Sequence, residues 1–126
     1  LQKFNKKRLK IAKIYDNFFK KHSDIFTIQQ VNNNLTHSYQ MYSVLVKPKF
    51  RNNLLYYLKK KKIEASAHFD PPLHKQKYLL RYTKKLKNSE TLAKSIMTLP
   101  IYPILRQVEI NRILKVIKYW YKKVNK

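Results

Sequence analysis

The side chains of this 126-residue chain that could do chemistry are concentrated in the segment 63–76, IEASAHFDPPLHKQ. Its apolar beginning predicts a short buried strand, Ile63–Phe69, and the two prolines that follow predict a rigid loop. An imidazole at His68, where the strand meets the loop, could donate a hydrogen bond to a substrate oxygen or to a phosphate. The alternative is a packed histidine whose polar atoms are satisfied by the backbone. For His74 we expect mainly a structural role at the start of the next helix.

Three other kinds of site are disfavoured by residue type and spacing. His37, His68 and His74 have Asp70 as their nearby carboxylate, but they lack the short His-to-His spacing that is typical of a zinc site. Glu64 and Asp70 lie close in sequence, yet nothing around them indicates a hydrolytic pocket. The chain contains no glycine, which excludes the glycine-rich phosphate loops of P-loop and Rossmann proteins. We therefore expect no metal site and no glycine-rich phosphate site.

The charge is strongly one-sided, with 29 Lys and Arg against 6 Asp and Glu and a formal net charge of +23. Such a balance is typical of proteins that bind a polyanion, and it is equally typical of lysine-rich proteomes. Tyrosines alternate with lysines, as in some single-strand binders, although helical spacing also predicts half-buried tyrosines at the edge of a core. The tyrosines concerned are Tyr56, Tyr57, Tyr78, Tyr82, Tyr119 and Tyr121. A small lysine-rich nucleic-acid-binding protein stays open as an alternative function.

The elements that must position His68 follow from hydrophobic periodicity. Apolar residues three and four positions apart predict helices, and alternating or continuously apolar runs predict strands. In chain order we predict a helix over 1–21, strands Ile25–Val31 and His37–Val46, a helix Lys49–Lys61 and the strand Ile63–Phe69. After them we predict a short helical piece His74–Tyr82, a helix Glu90–Met97, an extended segment Leu99–Pro103 and a last helix Gln107–Val124. Asn88 and Ser89 are predicted to cap the helix that begins at Glu90. Asn32, Asn33 and Asn34 predict a turn between the first two strands. This order predicts an α/β domain of α+β type, with a small sheet covered by helices.

Length and composition predict one domain with a modest core. The chain has no cysteine and therefore no disulfide, which fits a cytoplasmic location. No apolar run approaches the roughly 18 residues that span a bilayer, so we expect no membrane segment. The first eight residues lack the apolar core of a secretory signal. Because the chain begins at Leu1 rather than at a methionine, we expect it to be a fragment.

The amino-acid sequences of several segments resemble the C-terminal domain of the DegT/DnrJ/EryC1/StrS sugar aminotransferases. The segment around His68 is similar to the family's "HxxPPLHxQ"-like loop. Further segments resemble this family in the same order along the chain: Leu1–Phe19, its long helix; His37–Tyr42, the entry to its first C-terminal strand; Phe50–Ile63, its "R…L…L…GI" helix; Ala93 with Leu99–Pro103, its "A…LPxYP" segment; and the closing helix from Glu109. No single motif is decisive, but their common order makes the resemblance specific.

The resemblance implies an enzyme that uses pyridoxal phosphate (PLP) to transfer an amino group, usually from glutamate, to a keto carbon of a nucleotide-linked sugar. The cofactor forms a Schiff base with a lysine and acts as an electron sink. It also implies a fold-type I aminotransferase, a homodimer with sites at the subunit interface, and a small, mainly antiparallel C-terminal sheet. His68 is the one site residue carried over, as a substrate contact rather than a proton-transfer group.

The resemblance also implies that the catalytic lysine lies outside this chain. Ser89 and Lys94 match the spacing of the family's "SxxxxK", but they fall on an amphipathic helix with no glycine after it. Phe69 replaces a common tyrosine and Asp70 a common proline. We therefore expect residues 1–126 to form a single C-terminal small domain, with a linking helix at 1–21 and a sheet-and-helix body at 22–126. The large PLP-binding domain would be absent and the chain inactive alone.

Overall fold

A three-stranded antiparallel sheet is the centre of the fold in the computed structural model, which describes residues 1–32, 35–82 and 84–126. The strands are β1 (Phe26–Ile28), β2 (Tyr42–Val46) and β3 (Ile96–Leu99), in the order β1-β2-β3. The register places Thr27 opposite Leu45 and Val44 opposite Met97. β2 is thus the central strand, and its alternate residues are fully buried because successive side chains point to opposite faces.

Within these described residues, four α-helices cover the sheet: α1 (Gln2–Lys20), α2 (Pro48–Lys60), α3 (Lys87–Ser95) and α4 (Gln107–Val124). Two short 3₁₀ helices, Leu73–Lys75 and Lys77–Tyr82, connect α2 to α3. α1 contacts β1, α2 contacts β3, and α4 contacts both α1 and α2. The helices therefore bury their apolar stripes against the sheet and against one another.

Trp120 of α4 anchors the core between the helices and the sheet. Its ring meets those of Phe26 and Phe50 edge to face, with centroids 6.2 and 6.0 Å away. The indole Nε1–H donates a 2.7 Å hydrogen bond to Asn53 Oδ1 of α2. A large apolar ring is thus fully packed while its one polar atom is satisfied, as a buried tryptophan requires.

The predicted fold class is confirmed: helices cover a small antiparallel sheet. The three long helices also end within one residue of their predicted ends, because a helix of three or more turns repeats its apolar stripe several times. The helical piece predicted at His74–Tyr82 is present as the two 3₁₀ helices.

The predicted strand Ile63–Phe69 is wrong. Within the described residues this segment makes one isolated bridge, in which Ser66 and Thr98 exchange backbone hydrogen bonds of 2.9 and 3.3 Å. The backbone then leaves β3, and Phe69 has a φ of 61°, in the left-handed region that a strand does not use. Ile63 is nevertheless buried, so the segment follows the sheet edge without extending it.

The third strand instead comes from the end of the predicted helix Glu90–Met97 and the first residue of the predicted extended segment Leu99–Pro103. α3 ends at Ser95, and Ile96–Leu99 pair with β2 as β3. Met97 and Leu99 are buried in the core, so pairing with a distant strand outweighs the local helical pattern. The N-cap of α3 is Leu86 and no side chain caps it, which corrects the predicted cap at Asn88 and Ser89.

The first two strands are both shorter than the hydrophobic pattern of the sequence predicted. Ile25–Val31 reduces to β1, because only three of its residues pair with β2. His37–Val46 reduces to β2, and Tyr39 in its first half has a φ of 47°. The turn predicted at Asn32–Asn34 falls mostly on residues 33 and 34, which lie outside the described residues.

Candidate functional site

A cleft of about 870 Å³ opens beside the edge of β3. Its walls are the second half of α2, the segment that follows it, and the chain leaving β3. Polar and aromatic side chains at the cleft include Tyr56, Lys59, Glu64, Ser66, His68 and Tyr102. A concave surface that combines apolar walls with a few polar groups is the usual form of a small-molecule site.

His68 lies in this cleft, and a chain of hydroxyl groups holds one side of its ring. Nε2 of His68 is 3.1 Å from Oγ of Ser66, which is 3.0 Å from Oγ1 of Thr98. Thr98, buried in β3, also donates a 3.2 Å hydrogen bond to the backbone oxygen of Ser66. Among the described residues Nδ1 of His68 makes no hydrogen bond. The half-buried imidazole is therefore fixed at one nitrogen and can use the other toward a ligand.

The other histidines lie elsewhere. His74 has Nε2 3.3 Å from Oε1 of Glu90 on α3, while Nδ1 of His37 accepts a 2.9 Å hydrogen bond from the backbone N–H of Tyr39. Glu90 also bonds Lys75 at 3.0 Å, and Lys75 and then His74 hold the pKa of its carboxyl below the usual range. In the described part of the chain, no three His, Cys, Asp or Glu side chains come together as metal ligands would.

His74 faces a second concavity, an apolar groove of about 350 Å³ between α3 and the loop. Phe69, Leu73 and Leu92 line it and are largely exposed. His74 lies in the 3₁₀ helix Leu73–Lys75, close to the helix start expected for it. It lines this groove and not the cleft of His68.

The two carboxylates at this end of the molecule have different surroundings. Glu64 is exposed at the cleft, whereas Asp70 forms an ion pair with Arg51 and does not line the cleft. They therefore do not work as a pair on one ligand.

Arg51 is a buried charged residue that sequence reasoning missed. It lies on the inner face of α2 and is only 4% exposed. The helical pattern did place position 51 next to Phe50 and Leu54, but an arginine there is normally assigned to the solvent face. The available signal was the spacing, since Arg51 lies one turn before Leu54 and therefore on the inner face of α2.

Ser89 and Lys94 lie on α3, as predicted, but neither lines the cleft. Lys94 is exposed, and its backbone oxygen accepts a hydrogen bond from Arg51. The lysines that do border the cleft, Lys59 and Lys62, are exposed to solvent. The lysines at this cleft therefore do not fit a Schiff-base site, which needs a lysine shielded from water and directed into the cleft.

Part of the lysine-tyrosine pattern is explained by packing. Tyr57 is half-buried, and the Nζ atoms of Lys61 and Lys123 lie 5.9 and 5.6 Å from its ring centroid. Tyr121 is half-buried as well, and its hydroxyl donates to Asp24. Tyr56, Tyr78 and Tyr119 remain exposed, and the side chain of Tyr82 lies outside the described ones. Across the described residues, no helix has both the length and the apolar character needed to cross a membrane.

Comparison with known proteins gives one family. Residues 1–118 match the model of the DegT/DnrJ/EryC1/StrS aminotransferase family. The dTDP-3-amino-3,6-dideoxy-alpha-D-galactopyranose transaminase of Aneurinibacillus thermoaerophilus is 27% identical over 119 residues, which are 93% of this chain and 32% of that protein. The chain thus spans about a third of the length of this relative.

Solved aminotransferases share the fold. Helicobacter pylori PseC, an aminotransferase involved in the biosynthesis of pseudoaminic acid, aligns with a TM-score of 0.83 and 23% identity over 95% of this chain and 33% of its own. A Bacillus subtilis structure with bound cofactor PMP aligns with a TM-score of 0.82 and 17% identity over 94% of this chain and 28% of its own. The resemblance seen in the sequence is confirmed, and the chain belongs to the DegT/DnrJ/EryC1/StrS aminotransferase family.

Proposed function

We propose that this chain is the C-terminal part of a PLP-dependent aminotransferase that transfers an amino group from glutamate to a nucleotide-linked keto sugar. The observation that carries the proposal is the position of His68 in a cleft of about 870 Å³, in a chain whose residues 1–118 match the family. The named relatives support a sugar substrate, since one is a transaminase of a dTDP-linked sugar and another acts in pseudoaminic acid biosynthesis.

His68 binds the substrate in this proposal rather than transferring a proton. Thr98 donates to the backbone oxygen of Ser66, so the Ser66 hydroxyl donates to Thr98 and accepts from Nε2–H of His68. Nδ1 of the neutral ring is then an acceptor that can meet a sugar hydroxyl. Tyr102 and Ser66 add a ring and a hydroxyl to the same cleft. A few polar groups on a largely apolar surface fix the orientation of a bound ligand.

The cofactor belongs to the rest of the enzyme in this proposal. Because the lysines at the His68 cleft do not fit a Schiff-base site, we place the catalytic lysine and the residues that hold PLP in a large domain outside residues 1–126. The PMP-bound relative supports the choice of cofactor. The complete enzyme would be a homodimer, and this single small domain would be inactive alone.

Nucleic-acid binding is the less favoured function. The net charge of +23 and the exposed rings of Tyr56, Tyr78 and Tyr119 are compatible with it. The family match over residues 1–118 favours the aminotransferase instead.

The test uses the native polypeptide that contains residues 1–126. Its intact mass should be far above 15.4 kDa. With glutamate and a dTDP-linked keto sugar it should form 2-oxoglutarate, and a lysine-linked PLP absorbance should appear. The separate 126-residue chain should show neither. A lysine-linked chromophore on the separate chain would contradict the assignment of the lysine to another domain.

His68→Ala in the complete enzyme should lower kcat/KM by about 10- to 100-fold, mainly through KM, because a hydrogen bond to bound substrate is lost. His74→Gln is the matched control, since it changes an imidazole of the same segment that lies outside the cleft. Equal losses in the two variants, or no loss in His68→Ala, would remove His68 from the site.

A further inference from the structure

Arg51 joins three separate parts of the chain. Its Nε donates to the backbone oxygen of Lys94 at 3.0 Å, and its Nη2 donates to the backbone oxygen of Ala93 at 3.1 Å. Nη2 also donates to the carboxylate of Asp70. The Arg51 cluster, defined as Arg51, Asp70 and these two carbonyl groups, links α2, the last turn of α3 and the loop after His68.

The cluster suits a buried guanidinium on physical grounds. The last carbonyls of a helix lack partners within the helix and carry partial negative charge, so they accept well from a cation. Asp70 supplies the opposite charge that a buried arginine needs. Arg51 is 5% exposed at its side chain and Asp70 is 38% exposed, so the arginine is enclosed while the loop carboxylate closes the cluster from outside.

Asp70 is two residues from His68, while neither Arg51 nor Asp70 lines the cleft. Between them, Phe69 has a left-handed φ of 61°, so the loop turns sharply directly after His68. On its other side, His68 is held by Ser66 at Nε2. The backbone at His68 therefore lies between two fixed points, the hydroxyl pair Ser66–Thr98 and Asp70 of the Arg51 cluster.

We propose that Arg51, acting through Asp70, is a positioning residue that holds the His68 loop so that the imidazole stays on Ser66 and faces the cleft. The functional part of this proposal rests on the proposed role of His68, and the structural part does not. Arg51 touches no ligand in this scheme. Its effect on binding passes through His68.

The first experiment measures His68 directly by NMR in the 126-residue chain. Asp70→Asn keeps the side-chain shape and removes the charge that Arg51 binds. We expect it to abolish the proton contacts between the His68 ring and Ser66, and we expect Asp70→Glu to restore them in part. Glu90→Gln is the matched control, because it removes the carboxylate of His74 and Lys75 from the same region. It should leave the His68 contacts intact.

Contacts that persist in Asp70→Asn, or that vanish equally in Glu90→Gln, would overturn the proposal. Asp70→Asn and Glu90→Gln each remove an ion pair, so both can lower stability. Comparing the thermal midpoints of the two variants therefore distinguishes a specific loss of the His68 contacts from general destabilisation. Asp70→Asn is preferred to a substitution of Arg51 itself, which would leave two helix carbonyls unpaired and could prevent folding.

The second experiment uses the complete enzyme, with glutamate and a dTDP-linked keto sugar. Asp70→Asn should raise KM in the native background and have no further effect in the His68→Ala background, because effects that act through one residue are not additive. Additive losses would overturn the positioning role. If His68→Ala has no effect at all while the NMR contacts depend on Asp70, the proposed substrate contact of His68 fails and the arrangement around His68 stands.

Discussion

At the scale of single residues, polar groups in the core are satisfied by specific partners. Tyr42 of β2 is 2% exposed, and its hydroxyl donates a 2.7 Å hydrogen bond to Oδ1 of Asp16 on α1. Tyr15 is also buried and donates to the backbone oxygen of Pro100 at 2.9 Å. In the residues that the structure describes, no buried side-chain nitrogen or oxygen lacks a partner. These bonds fix how α1 lies on the sheet.

The pKa of Tyr42 is raised well above its ordinary value of 10.0, first by burial and then by the hydrogen bond to Asp16. Burial, followed by Tyr102, also raises the pKa of Tyr15. A raised folded-state pKa means that the stabilisation is complete below the unfolded-state pKa and is lost as the pH rises above it. We therefore expect the free energy of unfolding to fall above pH 10, by about 1.4 kcal/mol per pH unit for each such tyrosine.

The measurement is urea unfolding between pH 8 and pH 11, values on either side of the ordinary tyrosine pKa of about 10. Tyr42→Phe should be less stable at pH 8 and should lose less stability on going to pH 11. Tyr119→Phe, at an exposed position of α4, serves as the control for titration of lysines and surface tyrosines. Identical pH dependence in these two variants would contradict the prediction.

At the scale of elements, the long helices were predictable and the short strands were not. In α4 an apolar stripe recurs over five turns. Ile110, Ile113, Ile117 and Trp120 are buried, and Leu114, Tyr121 and Val124 pack against them partly buried. Between α3 and β3 the same reasoning failed, because Ile96–Leu99 continues the apolar spacing of the helix before it. Only the hydrogen-bonding partner, β2, some fifty residues earlier in the chain, turns this stretch into a strand.

The buried stripe of α4 should dominate its contribution to stability. Ile117→Ala removes a fully buried side chain and should lower the free energy of unfolding by about 2–5 kcal/mol. Lys118→Ala changes the exposed neighbour and should alter it by less than about 0.5 kcal/mol. Chemical denaturation of both variants checks the difference. Similar losses in the two variants would mean that α4 does not pack as described.

At the scale of the whole molecule, positive charge is largely unbalanced. Among the described residues, three of the six side-chain carboxylates form ion pairs. Asp70 pairs with Arg51, Glu90 with Lys75 and His74, and Glu109 with Arg106. With a net charge of +23, the remaining lysines repel one another in the folded state, where they are closer than in the unfolded chain.

Salt should therefore stabilise this chain. Raising sodium chloride from about 0.01 M to about 0.15 M shortens the Debye length from about 30 to 8 Å and screens the repulsion. The thermal midpoint should rise, and potassium chloride should give the same increase. A thermal midpoint that is unchanged or lower would contradict the inference that repulsion among lysines destabilises the folded chain. An increase with RNA beyond that of any other polyanion at equal ionic strength would instead favour the nucleic-acid alternative.

Much of the candidate site could be predicted, because it depends on local order along the chain. His68, the loop prolines and the motif order that carries the family resemblance are all contiguous in sequence. The hydroxyl pair and the Arg51 cluster could not be predicted, since Thr98 and Ala93 meet Ser66 and Arg51 only after the chain has folded.

The amino-acid sequence by itself determined the helices, the fold class and the family, because these depend on repeated apolar spacing and on short contiguous motifs. The tertiary structure alone decided which segment became the third strand and which groups surround His68. Strand pairing and buried charge pairs join residues far apart in the chain, and their energies exist only when a partner is present. No local pattern encodes the identity of that partner.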